Sequence, residues 1–262
     1  MFYDIETEME AYLDYNPNVF RGKTVLLPCD DPEWSNFTKY FAQNFEDLGL
    51  KKLISTSYAI NSKVIKAGIQ TSFLETTSPK FDKSKTNTHG KIFVLEKDTT
   101  GDGKINLEDL EWDYLEGDGD FRSEEVKKLR DEVDIIVTNP PFSLFREFLA
   151  WIVEADKLFI IIGNINCVTY KEVFPLFKDN KIFAGTRPWK GGIFFEHQNN
   201  ASIYKILAGV NMKPVPSICL TNLDPGHLPQ PLLLMKAADK EHNTLHKKIH
   251  TPSTAPSHNQ HA

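Results

Sequence analysis

The chain has few cysteines, no long apolar run, no excess of positive charge and no glycine-rich fingerprint after its first strand. Cys29, Cys167 and Cys219 are the only three cysteines in 262 residues, and they lie far apart in no metal-ligand spacing. That argues against a disulfide-stapled scaffold or a cysteine-based metal site, and it predicts free thiols in a reducing cytoplasm. No apolar run nears the roughly 20 residues that cross a bilayer, so no membrane contact is expected. The opening residues, Met1-Phe2-Tyr3-Asp4-Ile5-Glu6, are acidic and have no signal-peptide pattern. A net charge of -6 argues against a nonspecific nucleic-acid coat, yet it leaves room for a local basic groove. No internal repeat is visible. What is present is an ordinary globular balance, 40% hydrophobic and 25% charged, in a chain long enough for a sizeable core.

The most informative stretch is Asp134-Ile135-Ile136-Val137-Thr138-Asn139-Pro140-Pro141-Phe142. Its β-branched run predicts a buried strand. Two prolines end the strand, because neither has an N–H and each fixes φ. Asn139, lying before a proline, is held extended. The result is one amide side chain, neighbouring carbonyls and one aromatic ring at the carboxyl end of a strand, where ligands bind in open α/β sheets. This set suits an exocyclic amino group on a flat ring. The Asn139 side-chain oxygen and the Pro140 carbonyl can each accept from it, and Phe142 can stack on the ring. A reactive electrophile such as a sulfonium methyl would then need no strong base. The competing reading is a proline-terminated core strand.

Upstream, residues 4–15 predict an amphipathic helix with Ile5, Met9, Tyr12 and Leu13 inward. Strand 23–28, a helix to about Leu48 and strand 51–57 make a right-handed βαβ unit. Asp31 is expected to cap the helix with Pro32 at its first position, and Gly49 to close it. The turn between has no Gly-x-Gly. It carries Asp30 and Asp31 instead, which suit an ammonium or hydroxyls better than a phosphate; a bare helix cap is the alternative. Residues 61–90 read largely as loop, 91–96 as a strand, and 98–109 as a Gly-Asp-Gly turn in preference to a calcium loop, since Asp109 stands where a bidentate Glu is wanted. Gly117-Asp118-Gly119-Asp120-Phe121-Arg122-Ser123 suits adenine, by carboxylate and ring, or is a turn with Ser123 capping a helix at 124–131.

After the tetrad a helix is expected to Glu154, with Leu144, Phe145, Phe148, Leu149 and Ile152 inward and Arg146 outward. A strand at 156–163, a helix at 170–178 broken by Pro175, and short strands at 181–184, 191–195 and 215–221 follow. Gly191-Gly192 reads as a mobile hairpin or lid. Six of the eight histidines lie at or beyond His227, not at metal spacing. The segment from about Ala238 reads as disordered, with a nucleic-acid arm as the alternative.

Three pieces recur in a fixed order: Pro28-Cys29-Asp30-Asp31-Pro32 with Ser35-Asn36-Phe37, then Gly119-Asp120-Phe121-Arg122-Ser123, then Thr138-Asn139-Pro140-Pro141-Phe142-Ser143-Leu144-Phe145-Arg146. With Asn44-Phe45, the run Leu48 to Ile54, and Ile161-Ile162-Gly163-Asn164, they closely resemble the EcoRI-type adenine-N6 DNA methyltransferases over roughly residues 5–224. The resemblance implies a Rossmann-like α/β fold, a mostly parallel doubly wound sheet with an antiparallel strand, and a small irregular recognition region. It implies S-adenosylmethionine as cofactor and double-stranded DNA as partner, and it leaves open a cognate restriction endonuclease.

By the same resemblance, Asn139, Pro140, Pro141 and Phe142 hold a flipped adenine. Pro28, Cys29, Asp30, Asp31, Ser35 and Asn36 take the methionine end of the cofactor, and Asp120 and Phe121 its adenine. The expected organisation is a catalytic domain at 1–184, a β-rich continuation with a reduced recognition region at 185–237, and a tail at 238–262. Relatives continue past Thr221-Asn222-Leu223-Asp224 with folded sequence, so C-terminal shortening is expected. The second strand also ends without the acid that would grip a ribose. An enzyme acting on RNA or protein glutamine, or a member that binds without turnover, stays open. The former usually carry a Gly-rich first turn and a final Tyr in the tetrad.

Overall fold

Strand β1 (Thr24–Pro28) is buried at all five positions, and β5 (Ile135–Thr138) beside it is buried at all four. Continuous apolar strands of this kind need cover on both faces. In the computed structural model they have it. Residues 2–31, 35–59, 80–186, 193–196, 205–207, 210–224 and 226 are described, with the backbone alone for 193–196, 205–207 and 210–212. These all fall in one unit, Met1–His227. The expected loop at 61–79, the lid at Gly191-Gly192 and the tail from Ala238 lie outside the described residues.

The period-2 alternation of the strands sorts their side chains into two cores. Val25, Leu27, Ile135, Val137, Ile160 and Ile162 point to one face, against helices α1 (Phe2–Tyr15) and α2 (Asn36–Gln43). Leu26, Ile136, Phe159 and Ile161 point to the other, against α3 (Glu124–Glu132) and α4 (Phe145–Glu154). The stripe Phe145, Phe148, Leu149 and Ile152 faces inward as its spacing predicts, joined by Trp151.

Four strands run parallel in the order β2 (Lys52–Ser57), β1, β5, β6 (Leu158–Asn164). Antiparallel strands flank them: β3 (Lys91–Leu95) and β4 (Glu111–Tyr114) on one side, β11 (Ser217–Thr221) and β7 (Phe183–Ala184) on the other. Strand β11 thus returns from beyond residue 184 into the main sheet, pairing with β6. A second, three-stranded antiparallel sheet has the order β8 (Ile193–Glu196), β10 (Val210–Val215), β9 (Lys205–Leu207). The chain crosses from β1 to β2 on one side and re-enters at β5 on the other. The carboxyl ends of β1 and β5 therefore flank the switch point of the sheet.

Several local expectations are corrected. Ser35, not Asp31, caps α2: its hydroxyl accepts from the Phe37 and Thr38 N–H groups. The helix stops at Gln43: Asn44 leaves helical geometry at φ -106 and ψ 19, and its side-chain amide donates to the same Tyr40 carbonyl that accepts its backbone N–H. Ser123 caps α3 as expected, accepting from Val126. The tetrad passes first into a 3-10 turn at Phe142–Leu144, and α4 begins only at Phe145. Pro175 lies in the first turn of α5 (Phe174–Lys178), where a missing N–H costs nothing, so it starts that helix and does not break it. In the 98–109 turn, Asp98 accepts from Gly101 and Gly103, and Asp109 from Thr99, Thr100 and Asn106.

Candidate active site at the β1–β5 switch point

Two cavities meet at the carboxyl end of β5. The first, about 400 Å³, lies between the turn after β1 and residues 119–122, and is bounded by Cys29, Tyr58, Asp120, Arg122, Asn139 and Leu144 among others. The second, about 370 Å³, is lined by Asn139, Pro140, Pro141, Phe142 and Val215. Asn139 and Pro141 belong to both. Pro140 is buried, whereas Pro141 and Phe142 are exposed, with Phe142 at 37%. The Asn139 Oδ1 atom is buried and, among the described residues, accepts no hydrogen bond. A buried acceptor left without a donor costs about 1–3 kcal/mol, so such atoms are uncommon and mark places where a partner is missing.

The turn after β1 takes the place of a glycine loop by an unusual route. Cys29 adopts φ 84, a left-handed conformation that a side chain rarely tolerates. The Cys29 and Asp30 N–H groups both donate to the Thr56 carbonyl, at 3.0 and 2.9 Å. They are therefore turned away from a ligand, unlike the amides of a phosphate cradle. Asp30 is 5% exposed, and its carboxylate accepts from Ser35 Oγ at 2.7 Å and from Thr138 Oγ1. Its carbonyl accepts from Ser55 and Thr38. Asp31, the next residue, is half-buried.

The opposite wall is a loop held by backbone contacts. Gly119 sits at φ +81 against the Ser57 carbonyl, and a Cβ on Gly90 would come within 2.6 Å of both Gly119 and that carbonyl. The Ala59 and Gly90 N–H groups donate to the Asp118 and Gly117 carbonyls. Burial, and then the neighbouring Asp118 carboxylate, push the Tyr58 hydroxyl above the usual phenol range. Arg122 grips Asp120 with two donors, at 2.9 and 2.7 Å, and Glu147 with a third at 3.0 Å. Those hydrogen bonds hold the Asp120 carboxyl below its ordinary range. Phe121 is only 3% exposed. Its ring packs edge-on against Phe148 and Trp151, so it supports the wall from the core and offers little face to a ligand.

Of the residues the sequence singled out, Cys29, Asp120, Phe121, Asn139, Pro140, Pro141 and Phe142 line one or both of these cavities. Pro28 at the end of β1, Asp30 and Asp31 in the turn, and Ser35 and Asn36 at the start of α2 line neither one. The physical reason is clearest for Asp30, which Ser35 and Thr138 draw inward. Arg146 lies outside both cavities, stacked on the Tyr170 ring at 4.3 Å and 3.8 Å from Glu172. Tyr58, Leu144 and Val215 line the cavities and Thr138 stands behind them, although the sequence assigned a site role to none of the four. A hydroxyl at the end of a fully buried strand needs a partner, and that was the available signal for Thr138.

A parallel-centred sheet, a carboxylate-bearing first turn and an amide-proline tetrad across one switch point define a Rossmann-like α/β methyltransferase fold. The chain belongs to the family described as adenine-specific methyltransferase EcoRI, whose model matches residues 1–249. It is 40% identical over 227 residues to the Type II methyltransferase M.EcoRI of Escherichia coli, covering 84% of this chain and 63% of that protein. It is 32% identical over 204 residues to the Type II methyltransferase M.MpnI of Mycoplasma pneumoniae, covering 78% and 51%. To the Type II methyltransferase M.MgeORF184P of Mycoplasma genitalium it is 31% identical over 184 residues, covering 70% and 47%. The chain thus spans about half to two thirds of the length of these curated relatives. No solved structure gives a significant match. No helix among the described residues is long and apolar enough to cross a membrane.

Proposed function

We propose that the chain is a site-specific DNA adenine-N6 methyltransferase that uses S-adenosylmethionine and acts on an adenine flipped from duplex DNA. The observation that carries this reading is the unpartnered, buried Asn139 Oδ1 at the junction of two cavities. An exocyclic amino group in the second cavity supplies the donor that this oxygen lacks. The Pro140 carbonyl is the second acceptor. Together they orient the amino nitrogen towards the first cavity.

The residues around the first cavity fit the proposed cofactor. Its wall mixes the Tyr58 hydroxyl and the Asp120 carboxylate with apolar Pro141 and Leu144, and the first turn presents no phosphate cradle. Behind this wall, the half-buried Asp31 carboxylate of the first turn suits an ammonium. S-adenosylmethionine, when bound, supplies a methyl group activated by its sulfonium. The chain's own contribution is alignment and exclusion of water.

Phe142, exposed at the mouth of the second cavity, is placed to stack on the extruded base. Extrusion costs a few kcal/mol, and stacking returns about 1–3 kcal/mol per base. The reading extends to a cytoplasmic enzyme of a restriction–modification system. The test is a substrate panel with labelled cofactor: duplex DNA is expected to gain N6-methyladenine, while RNA and protein stay unlabelled. Label on RNA or protein alone contradicts the proposal.

A further inference from the structure

One side chain joins the two halves of the site. The β1–β5 ladder is registered at Val25↔Ile135 and Leu26↔Ile136. Beyond these pairs Pro28 has no N–H to give. There the Thr138 hydroxyl takes over, its single proton shared between the Pro28 carbonyl at 2.5 Å and the Asp30 carboxylate. Thr138 is fully buried, and it immediately precedes Asn139. The other oxygen of Asp30 accepts from Ser35, whose hydroxyl caps α2. A continuous chain of hydrogen bonds therefore runs from the α2 N-terminus through the first turn to the residue before the orphan amide.

We propose that Thr138 and Asp30 form a latch that fixes the Asn139 carboxamide relative to the cofactor turn. Both are positioning residues, and neither touches the reacting atoms. Asp30 does this work from inside the fold. The inference rests on the reading of Asn139 as amino acceptor and of the first turn as cofactor site. Its consequence is coupling: a change on the base side of the sheet should be felt by the cofactor, and a change on the cofactor side by methyl transfer.

The test is a double-mutant cycle on the full chain with Thr138→Val and Asp30→Asn. Cofactor affinity is measured by calorimetry without DNA, and single-turnover methyl transfer at saturating cofactor and DNA. Thr138→Val is expected to weaken cofactor binding, and Asp30→Asn to slow transfer, each by about tenfold, with the double variant no worse than the poorer single. Thr138→Ser, which keeps the hydroxyl, should restore both. A purely structural role would lower the melting temperature and leave both parameters of the folded protein unchanged. If the two effects multiply in the double variant, or if Thr138→Val performs as well as Thr138→Ser, the latch is overturned and the reading of the site stands. A wild-type chain that neither binds S-adenosylmethionine nor methylates DNA overturns both.

Discussion

Gly119 rests directly on the Ser57 carbonyl, with Gly90 wedged beside it, so the loop carrying Asp118 and Asp120 is fastened to the end of β2 backbone against backbone. No side chain fits at that contact, and the positive φ of Gly119 adds strain to any replacement. Gly119→Ala is expected to destabilise the fold by about 1–3 kcal/mol. It should also weaken S-adenosylmethionine binding more than any exposed-loop substitution, because the displaced wall belongs to the first cavity. Denaturant unfolding with calorimetric titration of the cofactor checks both. Gly101, whose missing Cβ faces open space, gives the control for φ strain without crowding.

The Asp120–Arg122 pair sets a pH dependence of known sign. Hydrogen bonds from Arg122 lower the Asp120 carboxyl below its unfolded value, so the pair's contribution is complete above that value and is lost as pH falls through the folded one. Cofactor affinity should therefore hold from neutral pH down into the ordinary carboxylate range and fall only below it. Arg122→Gln should move that fall to higher pH. Calorimetry across an acid series reads the shift, and a loss confined to the neutral range would assign the dependence to another group.

Phe142 is exposed and makes its contribution only when a base is present. Phe142→Ala is expected to change stability by under about 0.5 kcal/mol. Loss of stacking should cost about 1–3 kcal/mol of target-base binding, a fall of roughly five- to 150-fold. Fluorescence of 2-aminopurine placed at the methylated position, compared with thermal melting of the same variant, separates the two effects.

The centre of the fold was legible because local and global signals agree there. Ile135 to Thr138 is β-branched, and its position between two other buried strands demands such residues. Ser123 and the stripe on α4 are equally local. What stayed hidden depends on partners far along the chain. Asp30 reads as a ligand-facing carboxylate until Thr138, 108 residues on, is seen to hold it. Strand β4, Glu-Trp-Asp-Tyr at the sheet edge, is too short and too exposed to declare itself. Asp31-Pro32 resembles a helix start, yet Ser35 is the residue whose hydroxyl reaches the free N–H groups. Strand β11 was legible as a strand, but its place beside β6 follows only from the pairing.

The most direct measurement is single-turnover methyl transfer to duplex DNA by wild type and Asn139→Ala, with melting temperature taken on the same samples. Removing a buried acceptor that has no donor relieves a desolvation cost of about 1–3 kcal/mol, so the variant should be at least as stable as wild type. Its transfer rate should fall by about 10² or more, as when a preorganised polar group is removed from a reacting centre. A variant that melts as wild type does and methylates adenine at the wild-type rate would contradict the role given to Asn139, and with it the account of the site.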